Sequence, residues 1–234
     1  MNVLIIDADS IIHVASLKET LDEATHYVDE KIQYLHNFLW ENHSIEVDQE
    51  YIVLGGADNF RKLLSPKYKS TRKPKPELYF FVKAWAMQNL GCIESKMVEA
   101  DDVIAAIAKR EKSLKNNVIV ASLDKDLRQI YDVHFFNMHH TKFTLEFVTE
   151  IEAYRQHYKL MLMGDSSDVI AGLGGIGEKK ATQALEYSKS EFGMRRVVVE
   201  MYKKHIGRKW REKYILAKTL ITLRDDEKLI PEQF

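Results

Sequence analysis

One cysteine, Cys92, occurs in 234 residues. A single thiol permits no intrachain disulfide and no cysteine-based zinc site, and it suits a reducing, intracellular compartment. Long apolar runs are missing too: no stretch reaches the roughly 18 residues that a membrane helix requires. The opening MNVLII is too short for the apolar part of a secretory signal and runs straight into acids. No arrangement of His, Ser or Cys resembles a covalent-catalysis triad. An excess of either charge is absent, with 34 Lys and Arg against 35 Asp and Glu. Hydrophobic residues make up 45% and charged residues 29%, the balance of a globular chain able to bury a substantial core.

The neutral total conceals segregation. Between Arg61 and Lys83 stand eight basic residues (Arg61, Lys62, Lys67, Lys69, Arg72, Lys73, Lys75, Lys83) against one acid, Glu77. Between Glu178 and Lys218 there are twelve basic residues against five acids. Acids gathered in one place and cations in two others suit a polyanion held by its phosphates and cut at metal ions.

Residues 2–6 predict a buried strand ending at Asp7, and 51–54 a second one closed by Gly55 and Gly56. VIVAS at 118–122 and VHFFN at 133–137 predict two more. Apolar spacing predicts helices over 21–43, 77–90, 100–109, 150–163 and 178–188, a short one over 123–130, and two amphipathic helices over 191–223 around His205–Arg208. The segment 61–76, with Pro66, Pro74 and Pro76, reads as a loop. Strands alternating with helices imply an α/β fold with a mostly parallel twisted sheet, and ligands beyond the carboxyl ends of its strands. After about residue 148 only helices are expected.

Carboxylates come in groups where the apolar runs end: Asp7 and Asp9; Asp58; Glu99, Asp101 and Asp102; Asp124 and Asp126; Asp165 and Asp168. Buried unpaired, each is costly, so their convergence in one cleft calls for strong counter-charge, and oxygen-rich clusters suit Mg²⁺ or Mn²⁺. Each group has an ordinary alternative, as helix-capping acids at 99–102 or turn formers at 124–126. Five groups together point to a two-metal phosphodiesterase. His13 is expected to pack within the helix after Asp7, and His139 and His140 to lie in a solvated turn. GLGGIG at 172–177 has no preceding strand and no GK[ST] ending, which argues against a dinucleotide or triphosphate loop. A glycine hairpin followed by Glu178-Lys179-Lys180 instead suits amides and a helix start facing a DNA phosphate.

These motifs together resemble the flap endonuclease and 5′–3′ exonuclease family found in bacteriophages and in the nuclease domain of bacterial DNA polymerase I. LIIDADS at 4–10 resembles its opening strand, FRKLLSPKYKSTR at 60–72 its FR…YK…R segment, VEADD at 98–102 its acidic helix start, SLDKD at 122–126 its S-x-D-x-D element, and GDSSDVIAGLGGIGEKKA at 164–181 its GD-x-x-D and helix-three-turn-helix. The resemblance covers about residues 1–190. It implies a PIN-like core over 1–148 with a short basic arch or loop around 61–90, and a helical region over 149–234 with the helix-three-turn-helix at about 154–188.

The implied activity is structure-dependent 5′–3′ exonuclease or flap endonuclease action, leaving 5′-phosphate and 3′-hydroxyl. Asp7, Asp58 and Asp101 map to a first metal; Asp101, Asp124, Asp126 and Asp165 map to a second. Glu99, Asp102 and Asp168 complete the shell. Lys69 and Arg72 face the scissile phosphate, with Arg61, Lys67, Lys73, Lys75, Gly174, Gly175, Gly177, Lys179 and Lys180 as further DNA contacts and a K⁺ at the hairpin. Asp58 stands in for an acid that the family often has at the strand end, where this chain has Gly55 or Gly56. The short span from Lys73 to Leu90 implies a low or open arch. Expected partners are DNA with a free 5′ end, flap, nick or gap, RNA–DNA hybrid, and a DNA polymerase in trans; the expected state is a monomer in the cytoplasm of a bacterial or phage-infected cell, away from membranes. A PIN-type ribonuclease and a catalytically idle DNA-structure binder are the alternatives.

Overall fold

The computed structural model describes residues 1–139 and 143–232, so His140 lies outside the described residues. In chain order the elements are β1 (Asn2–Asp7), α1 (Asp9–Ala15), α2 (Leu21–His43), β2 (Gln49–Leu54), α3 (Phe60–Leu64), α4 (Tyr79–Asn89), β3 (Ile93–Glu94), α5 (Ala100–Ser113), β4 (Asn117–Ser122), β5 (Val133–Asn137), β6 (Thr144–Val148), α6 (Glu150–Met163), β7 (Gly164–Asp165), β8 (Ile170–Ala171), α7 (Glu178–Leu185), α8 (Glu191–Ile206) and α9 (Trp210–Ile221).

Six strands make one sheet in the order β3-β2-β1-β4-β5-β6. All neighbours are parallel except β5 and β6. Strands β1 and β4 are apolar on both faces because both faces are covered, as parallel sheets require. Val3, Ile5, Val118 and Val120 pack against α5, while Leu4, Ile6, Ile119 and Ala121 pack under α1, α2 and α4. The two-residue alternation of side chains decides which core each joins. A third core joins α6 to α9 and takes in Tyr68 from the basic segment. Near the end of the described chain, Leu229 and Ile230 return to the α5 side of the sheet.

Helix starts follow their capping chemistry. Thr20 accepts a hydrogen bond from the Glu23 amide at 3.2 Å, and the Glu152 carboxylate accepts one from the Thr149 amide at 2.9 Å, fixing the first turns of α2 and α6. The segment 61–76, expected as a loop, opens with the five-residue helix α3, capped by Asn59, which is too short to show periodicity. Strands β3 and β6 were not legible: β3 has two residues, and β6 is an exposed antiparallel edge without an apolar run. The region beyond 148 is not purely helical, because β7 and β8 form a small ladder. There α6 and the hairpin meet backbone to backbone. A Cβ on Gly164 would lie 2.3 Å from the Gly172 nitrogen, and one on Gly172 would lie 2.1 Å from the Met163 carbonyl carbon. No other residue fits either position.

Candidate active site

The carboxyl ends of β1 and β4 are adjacent strand ends, so their acids meet. Asp7 is 6% exposed and accepts a 2.6 Å hydrogen bond from Ser122 Oγ at the end of β4. That same oxygen accepts the Asp124 amide at 2.8 Å, and Asp124 in turn accepts the Asp126 amide at 2.8 Å. Asp101 enters from the first turn of α5, and among the described residues its side chain makes no hydrogen bond or ion pair.

The electrostatics register the crowding. Burial pushes the Asp7 carboxyl up to about 7, the Ser122 hydroxyl opposes that, and Asp9 and Asp124 add repulsion. Asp101 is held well above the usual carboxylate range by burial and then by Asp7 and Asp124. Asp124 is raised mainly by loss of solvation, and Asp126 is pushed up to about 7 by burial and then by Asp124, Asp165 and Asp168. Like charges in a poorly solvated cleft cannot all ionise without a cation.

A second ring joins the acids to the basic segment. Tyr68 donates its hydroxyl within 2.7 Å of Glu99 Oε2 and 2.9 Å of Asp168 Oδ2. Lys69 pairs with Glu99 and lies 3.5 Å from Asp168, while Arg72 reaches Asp168 at 2.8 Å. Asp165 is partly spent in its own turn, one oxygen accepting the Ser167 amide and hydroxyl, each at 2.7 Å.

Two expected assignments are corrected. Arg61 is 1% exposed, so no DNA phosphate reaches it; its guanidinium grips Asp102 at 2.6 and 2.8 Å and donates to the Leu220 and Thr222 carbonyls. Asp102, 0% exposed, also accepts the Glu99 and Arg224 amides, so both oxygens are taken and it serves the structure rather than an ion. Sequence shows that both residues are charged but not that they are buried together.

The expected acid beyond β2 is also displaced. Asp58 is exposed and makes no hydrogen bond or ion pair among the described residues. Asp9 occupies the space instead: its Oδ1 accepts the Gly55 amide at 3.1 Å, and a Cβ on Gly55 would lie 2.6 Å from its Oδ2. The missing side chain at the strand end is what admits Asp9.

Lys67, Lys73, Lys75 and Lys179 are exposed, with Lys75 Nζ 3.9 Å from the Tyr79 ring centre. Gly174, Gly175 and Gly177 present open backbone, since a Cβ on any of them would meet nothing within 4 Å. Lys180 bonds the Gly175 carbonyl at 2.8 Å and so closes the hairpin. His13 is exposed on α1 rather than packed. Ser122 and Tyr68 were missed as site residues, although both lie inside the motifs that carried the resemblance.

The donor set suits hard divalent cations, because it is all oxygen and its crowded acids need neutralising. Among the described residues, no group of three Asp, Glu, His or Cys side chains is arranged to hold an ion as it stands. The fit is therefore one of donor chemistry and charge, and ion binding requires carboxylates to turn inward.

Residues 2–159 match the family described as 5′-3′ exonuclease, N-terminal resolvase-like domain, and the chain belongs to it. Among curated relatives, it is 34% identical over 173 residues to a 5′-3′ exonuclease of Mycoplasmopsis pulmonis, covering 68% of this chain and 55% of the relative. It is likewise 34% identical over 148 residues to the flap endonuclease Xni of Shewanella pealeana, covering 58% of this chain and 57% of that protein. A DNA polymerase I of Rhizobium leguminosarum is 34% identical over 142 residues, which are 56% of this chain and 14% of the polymerase. The matches thus span little more than half of these nucleases and a small part of the polymerase. The T5 5′-exonuclease with bound divalent metal ions (zinc) shares the fold at a TM-score of 0.67 and 21% identity, covering 94% of this chain and 86% of that one. The catalytic core of Rad2 in complex with DNA substrate has a TM-score of 0.55 and 15% identity, with 98% and 80% covered. Among the described residues no helix is long and apolar enough to cross a membrane.

Proposed function

We propose that the chain is a divalent-metal-dependent 5′ nuclease that hydrolyses DNA phosphodiesters near a 5′ end, leaving 5′-phosphate and 3′-hydroxyl. The observation that carries this reading is the meeting of Asp7, Asp101 and Asp124 in one cleft with carboxyls forced upward, beside Lys69 and Arg72. A pair of bound Mg²⁺ or Mn²⁺ ions would supply an activated water and stabilise the leaving oxygen. Asp7, Asp9, Asp101, Asp124 and Asp126 would hold the ions, with Asp165, Glu99 and Asp168 around them. Ser122 orients Asp7 and Asp124 through one hydroxyl. Lys69 and Arg72 stabilise charge on the attacked phosphate. The open glycine hairpin and Lys179 grip the duplex, where hairpin carbonyls would hold a K⁺, while Lys67, Lys73 and Lys75 guide the 5′ strand along a low, open arch.

The relatives, a 5′-3′ exonuclease and a flap endonuclease, support the reaction class, and the metal ions and DNA bound in the structural neighbours support the substrate and cofactor. RNA–DNA hybrid is a second substrate to examine. The test is cleavage of end-labelled flap, nick, gap, blunt duplex and RNA–DNA hybrid side by side, in Mg²⁺ and after chelation. Cleavage of the 5′-ended DNA that chelation abolishes is expected; full cutting after exhaustive chelation overturns the reading. Binding without any cutting would identify an idle DNA-structure binder, and preference for single-stranded RNA a ribonuclease.

A further inference from the structure

A groove of about 610 Å³ runs from the end of β4, past α6, to Thr182 on α7, and none of the expected DNA contacts lies in it. Its walls carry Lys125, Arg128, Arg155 and Lys159 against one acid, Glu152. That acid is already committed, accepting the Thr149 amide at 2.9 Å and the Thr149 hydroxyl at 2.6 Å. Arg128 pairs with Glu146 at 2.7 Å and Lys159 with Glu178 at 3.0 Å, while Lys125 and Arg155 form no ion pair among the described residues. Arg155 Nε is enclosed and has no hydrogen-bond partner among them. The outer nitrogens of the Arg155 guanidinium likewise have no hydrogen bond or ion pair among the described residues, so they are free to meet an acceptor in the groove.

Position identifies the acceptor. Gln156, in the same wall, interacts with Asp126, and Leu123 and Lys125 flank Asp124, so the groove borders the acid cleft. Its other end is the helix that follows the glycine hairpin. A strand running from that hairpin to the acids would pass through it. We propose that this groove seats an internal phosphodiester of the bound DNA, with the outer nitrogens of the Arg155 guanidinium and Lys125 as its donors. The proposal rests on the reading of the chain as a DNA-cleaving enzyme, and it adds a phosphate anchor separate from the basic segment. Arg155 acts here as a positioning residue: it fixes the strand and does not touch the reacting phosphorus.

The test measures DNA binding in Ca²⁺ by anisotropy for wild type, Arg155→Gln and Lys125→Gln, on duplexes carrying one neutral methylphosphonate moved along the strand. Each variant is expected to weaken binding roughly fivefold and to reduce the salt slope by about 1. One methylphosphonate position should weaken wild type yet leave Arg155→Gln unaffected, since two changes to one contact are not additive. Unchanged melting temperatures establish that both variants fold, and Lys125 is exposed. An unaltered salt slope in both variants, or additive effects at every methylphosphonate position, overturns the proposal and leaves water as the partner of the Arg155 guanidinium. A defect confined to 5′-phosphorylated ends also overturns it, because the groove would then hold a terminal phosphate. Wild-type cutting in Mg²⁺ is run alongside: normal cutting with unaltered variants removes the groove alone, whereas wild type that fails to bind DNA removes both readings.

Discussion

The guanidinium of Arg61 closes on both oxygens of Asp102, at 2.6 and 2.8 Å, with the two side chains 1% and 0% exposed. The pair joins the start of α3 to the start of α5, and the Leu220 and Thr222 carbonyls bring in the end of α9. Removing one partner strands the other as a buried charge, which costs about 3–5 kcal/mol. Asp102→Asn should therefore lower the denaturant midpoint sharply while the folded protein keeps its affinity for Mn²⁺. An unchanged midpoint with lost Mn²⁺ binding would return Asp102 to the metal shell.

Gly55 and Asp9 make a complementary prediction. An alanine at 55 would drive its Cβ into the Asp9 carboxylate, 2.6 Å away, while the amide still tethers the other oxygen. Gly55→Ala and Asp9→Asn should each weaken Mn²⁺ binding by at least about tenfold, read by titration calorimetry, with little loss of stability. The exchange Asp9→Ser with Gly55→Asp should recover part of that affinity. Asp58→Asn should leave it unchanged; a loss there would restore Asp58 as the ligand.

Stability of the ion-free protein should depend on pH in an unusual direction. Asp7 and Asp126 rise from an ordinary value of 3.8 to about 7 in the folded state. Between pH 4 and 7 the folded chain thus holds protons that the unfolded chain has released, so stability falls as pH rises through that window. Mg²⁺ replaces those protons, and it should raise the melting temperature more at pH 8 than at pH 5. Equal shifts at both values would mean that these carboxylates do not bind the ion.

Lys179 and Lys180 are neighbours with different employment. Both are exposed, but Lys180 is held by the Gly175 carbonyl, whereas Lys179 makes no hydrogen bond or ion pair among the described residues. Lys179→Ala should weaken duplex binding and reduce its salt slope by about 1 without altering the melting temperature. Lys180→Ala should instead loosen the hairpin, seen as faster amide exchange at Gly175 and Ile176. Identical behaviour of the two variants would show that the hairpin does not depend on Lys180.

Much of this arrangement is legible in the sequence. The apolar runs within 2–6 and 118–122 are strands because burial on both faces leaves almost no polar position, and the acids that follow them meet because parallel strands finish at the same edge. What stayed hidden depends on contacts far apart in sequence. Nothing local distinguishes Arg61 from the cations that follow it, and only the fold brings it to Asp102, 41 residues away. Asp9 reaches Gly55 across 46 residues. The edge strand β6 eluded the reading because most of its side chains face water, leaving no hydrophobic signature.

Tyr68 has its ring in the core of the helical layer and its hydroxyl between Glu99, which precedes α5, and Asp168, in the turn before β8. It works as a rivet through two plates. Displacing the helices relative to the sheet would pull on both carboxylates at once, so the spacing of the acids is governed by how the layers dock rather than by any single loop. Substitutions in the helical interior, remote from every acid, can therefore detune the cleft without touching it.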